Sequence, residues 1–135
     1  MEDNNSNIGP GLEVNGQEMR YRDAFNNTLR SELEYDKNVL IIGEDISGGF
    51  DKETKEPLDA WGGPFAATKG LVQDFGVERI MDAPISEAGF VGAAIGAALT
   101  GLRPVVDLMY FDFTTVAFDQ LLSNAAKSSY MFGGQ

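Results

Sequence analysis

Three carboxylates stand where apolar, strand-like runs give way to turns, and they are the side chains best placed to do chemistry. Glu87 opens EAGFVGAAIGAALTG, a Gly/Ala-rich helical run with no other charge. Glu44 and Asp45 close the short apolar run VLIIG. An ionised Glu is rarely buried without a partner, so Glu87 is solvated, paired or chemically employed. In the first turn of a helix it complements the helix dipole, worth about 0.3–1 kcal/mol. The functional alternative is an acid aimed at a ligand from a strand-to-helix turn, where open α/β sheets carry their sites. Glu44 and Asp45 face water unless they share a cleft with Glu87. In a shared cleft, like-charge coupling raises at least one pKa and favours proton sharing. Tyr110, Phe111 and Phe113 follow the last apolar run as MYFDFTT. They either join the core or form a flat wall for a heteroaromatic ring.

Composition narrows the chemistry to those acids. The 135 residues contain no Cys and no His, which removes thiolate nucleophiles, Cys/His zinc sites and any His-based dyad or triad. No metal ligands are expected from this chain. The net charge of −11 and pI near 4.2 argue against nucleic acid and anionic lipid as partners. Neither a phosphate-binding loop nor a dinucleotide fingerprint is present, and EDISGGFDKE lacks the acidic spacing of an EF-hand. The longest apolar stretch, Ala88 to Leu102, is too short to span a membrane. MEDNNSNIGPG is acidic and polar, unlike a signal peptide.

The elements that must position these residues follow from periodicity. Residues 1–18 are expected to be a flexible tail, rich in Asn and Gly. Tyr21, Ala24, Phe25, Thr28, Leu29 and Leu33 keep a helical period, predicting a helix that ends between Tyr35 and Asn38. VLIIG predicts a strand, followed by a long loop over 46–63. ATKGLVQDFG predicts a short helix stopped at Gly76, and ERIMDAP a strand ending at Pro84. Ser86 is the expected N-cap of the Gly/Ala helix, which runs to about Thr100 with Gly101 as its stop. RPVVDLMYF predicts a third strand, and Thr115 to Lys127 a last helix. Alternating strands and helices predict an α/β fold, a parallel sheet with helices on both faces. Its site would lie along one edge of the strand ends. Three strands make a thin sheet, so the expectation is a piece of a larger fold. Gly92 and Gly96 leave a helix face nearly free of bulk. Each Gly costs roughly 0.5–1 kcal/mol relative to Ala, which either tight packing inside the domain or contact with another subunit would offset.

The blocks NVLIIGED, GGPFAATKGLVQDFG, ERIMDAPISEAGFVGAAIGAALTGLRPVVDLM and FDQLLSNAAKSSYMFGGQ, in that order, resemble the β subunit of thiamine-diphosphate-dependent 2-oxo acid dehydrogenases. That family comprises the first components of the pyruvate and branched-chain 2-oxo acid complexes, and acetoin dehydrogenase. The resemblance covers Met19 to Gln135. It implies that residues 19–135 are part of a transketolase-like pyrimidine-binding domain, with a further strand and a C-terminal domain beyond them. The implied cofactor is thiamine diphosphate, whose diphosphate and magnesium are held by a partner α subunit.

Glu87 matches the family glutamate that hydrogen-bonds a ring nitrogen of the aminopyrimidine and favours the tautomer that deprotonates the thiazolium. Phe113 matches the aromatic stacked on the pyrimidine, and Ile85 a neighbouring apolar contact. Asp45 occupies a cofactor-site position that is usually Glu in pyruvate-type members. The resemblance further implies a heterotetramer with two of each chain, a lipoyl-bearing acyltransferase partner and a cytoplasmic, bacterial setting. The Gly/Ala helix would be a subunit seam. The implied reaction is oxidative decarboxylation of a pyruvate-like 2-oxo acid with acyl transfer to lipoyl, and this segment alone would be inactive. Alternatives are an acetoin dehydrogenase β subunit, a transketolase-like synthase, whose site normally carries histidines, and a non-catalytic α/β interaction module.

Overall fold

The computed structural model describes residues 12–14, 17–48 and 61–134, with side chains from residue 18 onward. Most of the long loop expected over 46–63 lies outside the described residues. Leu12–Val14 (β1) and Gln17–Met19 (β2) pair antiparallel, with Leu12 opposite Met19. Part of the stretch expected to be a flexible tail is thus a small hairpin. The signal was the dipeptide Asn15-Gly16 between alternating residues, the strongest short-range hairpin cue.

Helix α1 (Tyr21–Tyr35) turns Leu29 and Leu33 inward, as its period requires. Strand β3 (Val39–Gly43) follows after a tight turn in which Asp36 accepts the Asn38 N–H at 2.8 Å. Next comes α2 (Leu71–Phe75), shorter than the run ATKGLVQDFG predicted. Gly70 sits at φ 81, a left-handed position that breaks the helix and confines Ala67 to Lys69 to turns. Gly76 ends α2 at φ 80, as expected. Strand β4 (Ile80–Asp82) leads into α3 (Glu87–Leu99) and β5 (Arg103–Asp107).

At the end of α3, Leu102 N–H donates to Ala97 O and Gly101 N–H to Ala98 O, with Gly101 at φ 99. That pair of bonds is a Schellman stop, the role expected of Gly101. Ser86 holds the N-cap position, but its hydroxyl makes no capping bond.

After β5 the chain forms a 3₁₀ turn (Phe111–Thr115), a wider π-helical segment (Gln120–Ala125) and α4 (Ala126–Met131). A single helix over Thr115 to Lys127 is therefore not what forms. Ser123 bonds Asp119, Asn124 bonds Gln120, and the Ser128 hydroxyl bonds Asn124 O. Such local side-chain bonds compete with regular helical turns.

The three strands β4, β3 and β5 lie side by side, all parallel, with β3 central. Ile41 pairs with Ile80 and Val105 on one face; Ile42 pairs with Val106 on the other. The first face packs on α1 and α2 through Leu29, Leu33, Leu71 and Val72. The second packs on α3 and the last helical segments through Phe90, Val91 and Ala117. A sheet covered on both faces is the predicted α/β arrangement. No helix among the described residues is long and apolar enough to cross a membrane.

Candidate cofactor site

All three strands point the same way, so their C-terminal ends line one edge, and each end delivers one part of a site. β3 ends at Gly43 and hands over to Glu44. β4 ends at Asp82, five residues before Glu87. β5 ends at Asp107, six before Phe113.

Gly43 is what lets two of these ends meet. A Cβ there would stand 2.8 Å from Asp107 O and 2.9 Å from Asp107 Cβ, closer than real Cβ atoms come. Asp107 then shapes the next turn by accepting the Met109 N–H at 2.8 Å. Met109 has φ 60, a left-handed position that turns the chain sharply out of the sheet. The aromatic residues beyond it stay out of the core. Tyr110 and Phe111 are exposed, and Phe113 is half-buried. Tyr110 meets Phe113 edge-on at 5.7 Å between ring centroids and Phe65 at 5.2 Å. Of the two readings open for MYFDFTT, the core is not what forms.

Glu44 is the residue that spacing undervalued. Only 8% of it is exposed, and its Oε1 is buried with no hydrogen-bond partner among the described residues. A buried polar atom without a partner is uncommon enough to need a reason. Burial pushes its carboxyl above the usual glutamate range, and the charges of Glu87 and Asp45 push it further the same way. The like-charge coupling conditional on a shared cleft is therefore present between Glu44 and Glu87. Asp45 itself is exposed, at φ 54. Between the two acids after VLIIG, it is Glu44 that faces inward. Strand alternation, with Val39, Ile41 and Gly43 buried, points Asp45 inward instead; the turn immediately after Gly43 reverses that order.

Glu87 occupies the first turn of α3 and is partly exposed, open to a ligand at the helix mouth. Ile85, on the loop before it, is 85% exposed, an apolar side chain facing solvent at the same edge. A groove of about 700 Å³ runs between α1 and the exit of β5, walled by Tyr21, Phe25, Phe65, Val105 and Tyr110. It includes neither Glu44, Glu87 nor Phe113, so its size does not mark the chemistry. No group of three or more Asp, Glu, His or Cys among the described residues is arranged to hold a metal ion.

The small-residue face of α3 divides in two. A Cβ at Gly92 would meet Gln120 Oε1 at 2.9 Å, so this glycine admits the π-helical segment. Among the described residues nothing lies within 4 Å of such a Cβ at Gly96, and their packing does not account for it.

Comparison with known proteins agrees with the fold. Residues 17–133 match the transketolase pyrimidine-binding domain. Over 113 residues the chain is 50% identical to the β subunit of acetoin:2,6-dichlorophenolindophenol oxidoreductase from Bacillus subtilis, covering 84% of this chain and 33% of that protein. The Cupriavidus necator protein of the same name is 47% identical over 112 residues, 83% of this chain and 32% of the relative. The mitochondrial pyruvate dehydrogenase E1 component subunit beta-2 of Oryza sativa is 41% identical over 119 residues, 88% of this chain and 28% of the relative. The chain thus spans about a third or less of the length of these relatives. A match running from Gln17 through Gly133 takes in every element from β2 to α4, and the chain belongs to the transketolase pyrimidine-binding domain family.

Proposed function

We propose that this chain is the pyrimidine-binding part of the β subunit of a thiamine-diphosphate-dependent dehydrogenase that cleaves acetoin or a pyruvate-like 2-oxo acid and passes the acyl group to a lipoyl carrier. The observation that carries the reading is a pair of acids at the strand-end edge, Glu87 in the first turn of α3 and buried Glu44, whose Oε1 has no hydrogen-bond partner among the described residues. Acetoin is favoured over pyruvate because identity is 50% and 47% to acetoin-named subunits against 41% to the pyruvate-named one.

The residues at this edge fit the cofactor's aminopyrimidine. Glu87 is placed to hold a ring nitrogen, Phe113 to stack on the ring, and Ile85 to add an apolar contact. Asp45 is exposed, so any part it takes is electrostatic, through Glu44. Thiamine diphosphate, when bound, supplies the nucleophilic carbon and the electron sink for carbon–carbon cleavage. The protein's part is orientation and proton control. Glu44, held above the usual carboxylate range by burial, keeps a proton closer to neutral pH than a solvated Glu would.

The reading extends to a partner. With 21 Asp and Glu against 10 Lys and Arg, this chain is a poor host for a diphosphate, so the cations are assigned to an α subunit carrying the magnesium. A heterotetramer with two of each chain, the unfilled face at Gly96 as a subunit seam, and a cytoplasmic setting belong to the same proposal.

The test is thiamine diphosphate titration of the full-length protein with and without its α partner, followed by turnover on acetoin, pyruvate and branched-chain 2-oxo acids. Binding and turnover only with the partner, highest on acetoin, are expected. Tight binding by the β chain alone, or turnover on none of the three, would contradict the proposal.

A further inference from the structure

The β3–β4 ladder ends at Gly43 opposite Asp82, with a last bond from Ala83 N–H to Gly43 O at 2.8 Å. Beyond that point the two chains have no ladder to hold them together. One continues through Glu44, the other toward Glu87. A side chain replaces the ladder. The Asp82 carboxylate accepts the Ser47 backbone N–H at 2.8 Å on one oxygen and the Ser47 hydroxyl on the other. Ser47 is only 3% exposed, so these bonds satisfy donors that would otherwise be buried without partners. Bonds to an ionised acceptor are about twice as strong as neutral ones.

The same loop is gripped from its other side, where the buried Thr68 hydroxyl donates to Ile46 O at 2.8 Å. Immediately before these grips lies Asp45 at φ 54. That is the left-handed region, which a non-glycine residue seldom keeps unless its surroundings hold it there. Residues 43 to 47 thus form a closed turn whose inward-facing acid is Glu44, with Ile46 and Ser47 also buried, and Asp82 is the clasp. Asp82 also begins the segment that carries Glu87, five residues on.

We propose that Asp82 is a positioning residue: through Ser47 it fixes the Glu44 turn against the end of β4 and so sets the placement of the Glu44 carboxyl relative to Glu87. The proposal rests on the assignment of Glu87 and Glu44 to the reaction, but it concerns a residue that touches neither cofactor nor substrate. Glu87 from α3 and Asp45 from the turn itself are the charges that act on Glu44 among the described residues.

The test uses the full-length β chain with its α partner and the variants Asp82→Ala, Asp82→Asn, Ser47→Ala and Glu44→Gln. Asp82→Ala should lower kcat by about tenfold to a hundredfold, the scale of a small misplacement of reacting groups, and move the acidic limb of the pH–rate profile. Asp82→Asn keeps an acceptor for the Ser47 N–H and should restore most of the rate. Ser47→Ala, the milder change, should fall between them and reads the clasp even where Asp82→Ala folds poorly. In the Glu44→Gln background the effect of Asp82→Ala on the pH profile should vanish.

A readout independent of activity separates this proposal from the functional assignment. The rise in Tm that Glu44→Gln gives at pH 8 over pH 4 should shrink to less than half in Asp82→Ala, because a released Glu44 reaches water and its pKa returns toward the ordinary value. If the stability coupling appears while Glu87→Gln leaves turnover intact, the functional assignment fails and the clasp stands. Unchanged kcat and pH profile in both Asp82→Ala and Ser47→Ala would overturn the proposal. So would an Asp82→Ala effect of equal size with and without Glu44.

Discussion

Glu44 carries an energetic cost that a solvated acid would not. Its Oε1 is buried without a partner among the described residues, and its carboxyl is pushed up by burial, then by Glu87, then by Asp45. For an acid whose folded-state pKa is raised, protonation favours the folded state. Stability is therefore undiminished below the unfolded pKa near 4.3 and falls as pH climbs from there through the raised folded value. Glu44→Gln is expected to raise Tm at pH 7–8, with the gain fading as pH drops to about 4; a gain of equal size at both ends would contradict the assignment. This was only half visible in the residues. The acids after VLIIG marked a place for coupling, but choosing between Glu44 and Asp45 required knowing which way the chain turns after Gly43. That turn depends on Asp82 and Thr68, 35 and 22 residues from their partners.

At the scale of elements, the glycines divide by what a side chain would meet. Gly43→Ala forces a Cβ into Asp107 backbone and side chain and should cost about 1–3 kcal/mol, as overpacking does. Gly96→Ala meets nothing among the described residues and should gain about 0.5–1 kcal/mol of helix propensity in the chain itself, while weakening association with the proposed second subunit. Denaturant melts and sedimentation of the two variants check both halves; destabilisation by Gly96→Ala in the unassociated chain would show an internal contact instead. Helix α1, β3 and the Schellman stop at Gly101 were legible because local pattern and tertiary packing agree there. The hairpin at β1 and β2 went unread behind a polar composition. Helix α2 came out short because one left-handed glycine, Gly70, outweighs a good apolar period. The run after Thr115 splits because its Ser and Asn side chains bond into their own turns.

For the whole molecule, the three-strand sheet is the common floor of two apolar clusters, Leu71 with its neighbours below and Phe90 with its neighbours above. Leu71→Ala and Phe90→Ala should each cost about 2–5 kcal/mol and each shift one common unfolding transition; two separable transitions would mean the faces are independent. The alternation that sends Ile41 and Ile42 to opposite faces was readable in VLIIG. The meeting of three strand ends at one edge was readable from element order alone. Which acid from each end faces inward was not. That edge is where Glu44, Glu87 and Phe113 emerge, and the central claim is that it receives an aminopyrimidine against Glu87. The most direct measurement is kcat of the reconstituted full-length enzyme carrying Glu87→Gln, at saturating thiamine diphosphate. A fall of about a hundredfold or more is predicted, the scale of a lost proton-transfer group, with folding and partner binding retained. Turnover within a few-fold of the wild type would contradict it.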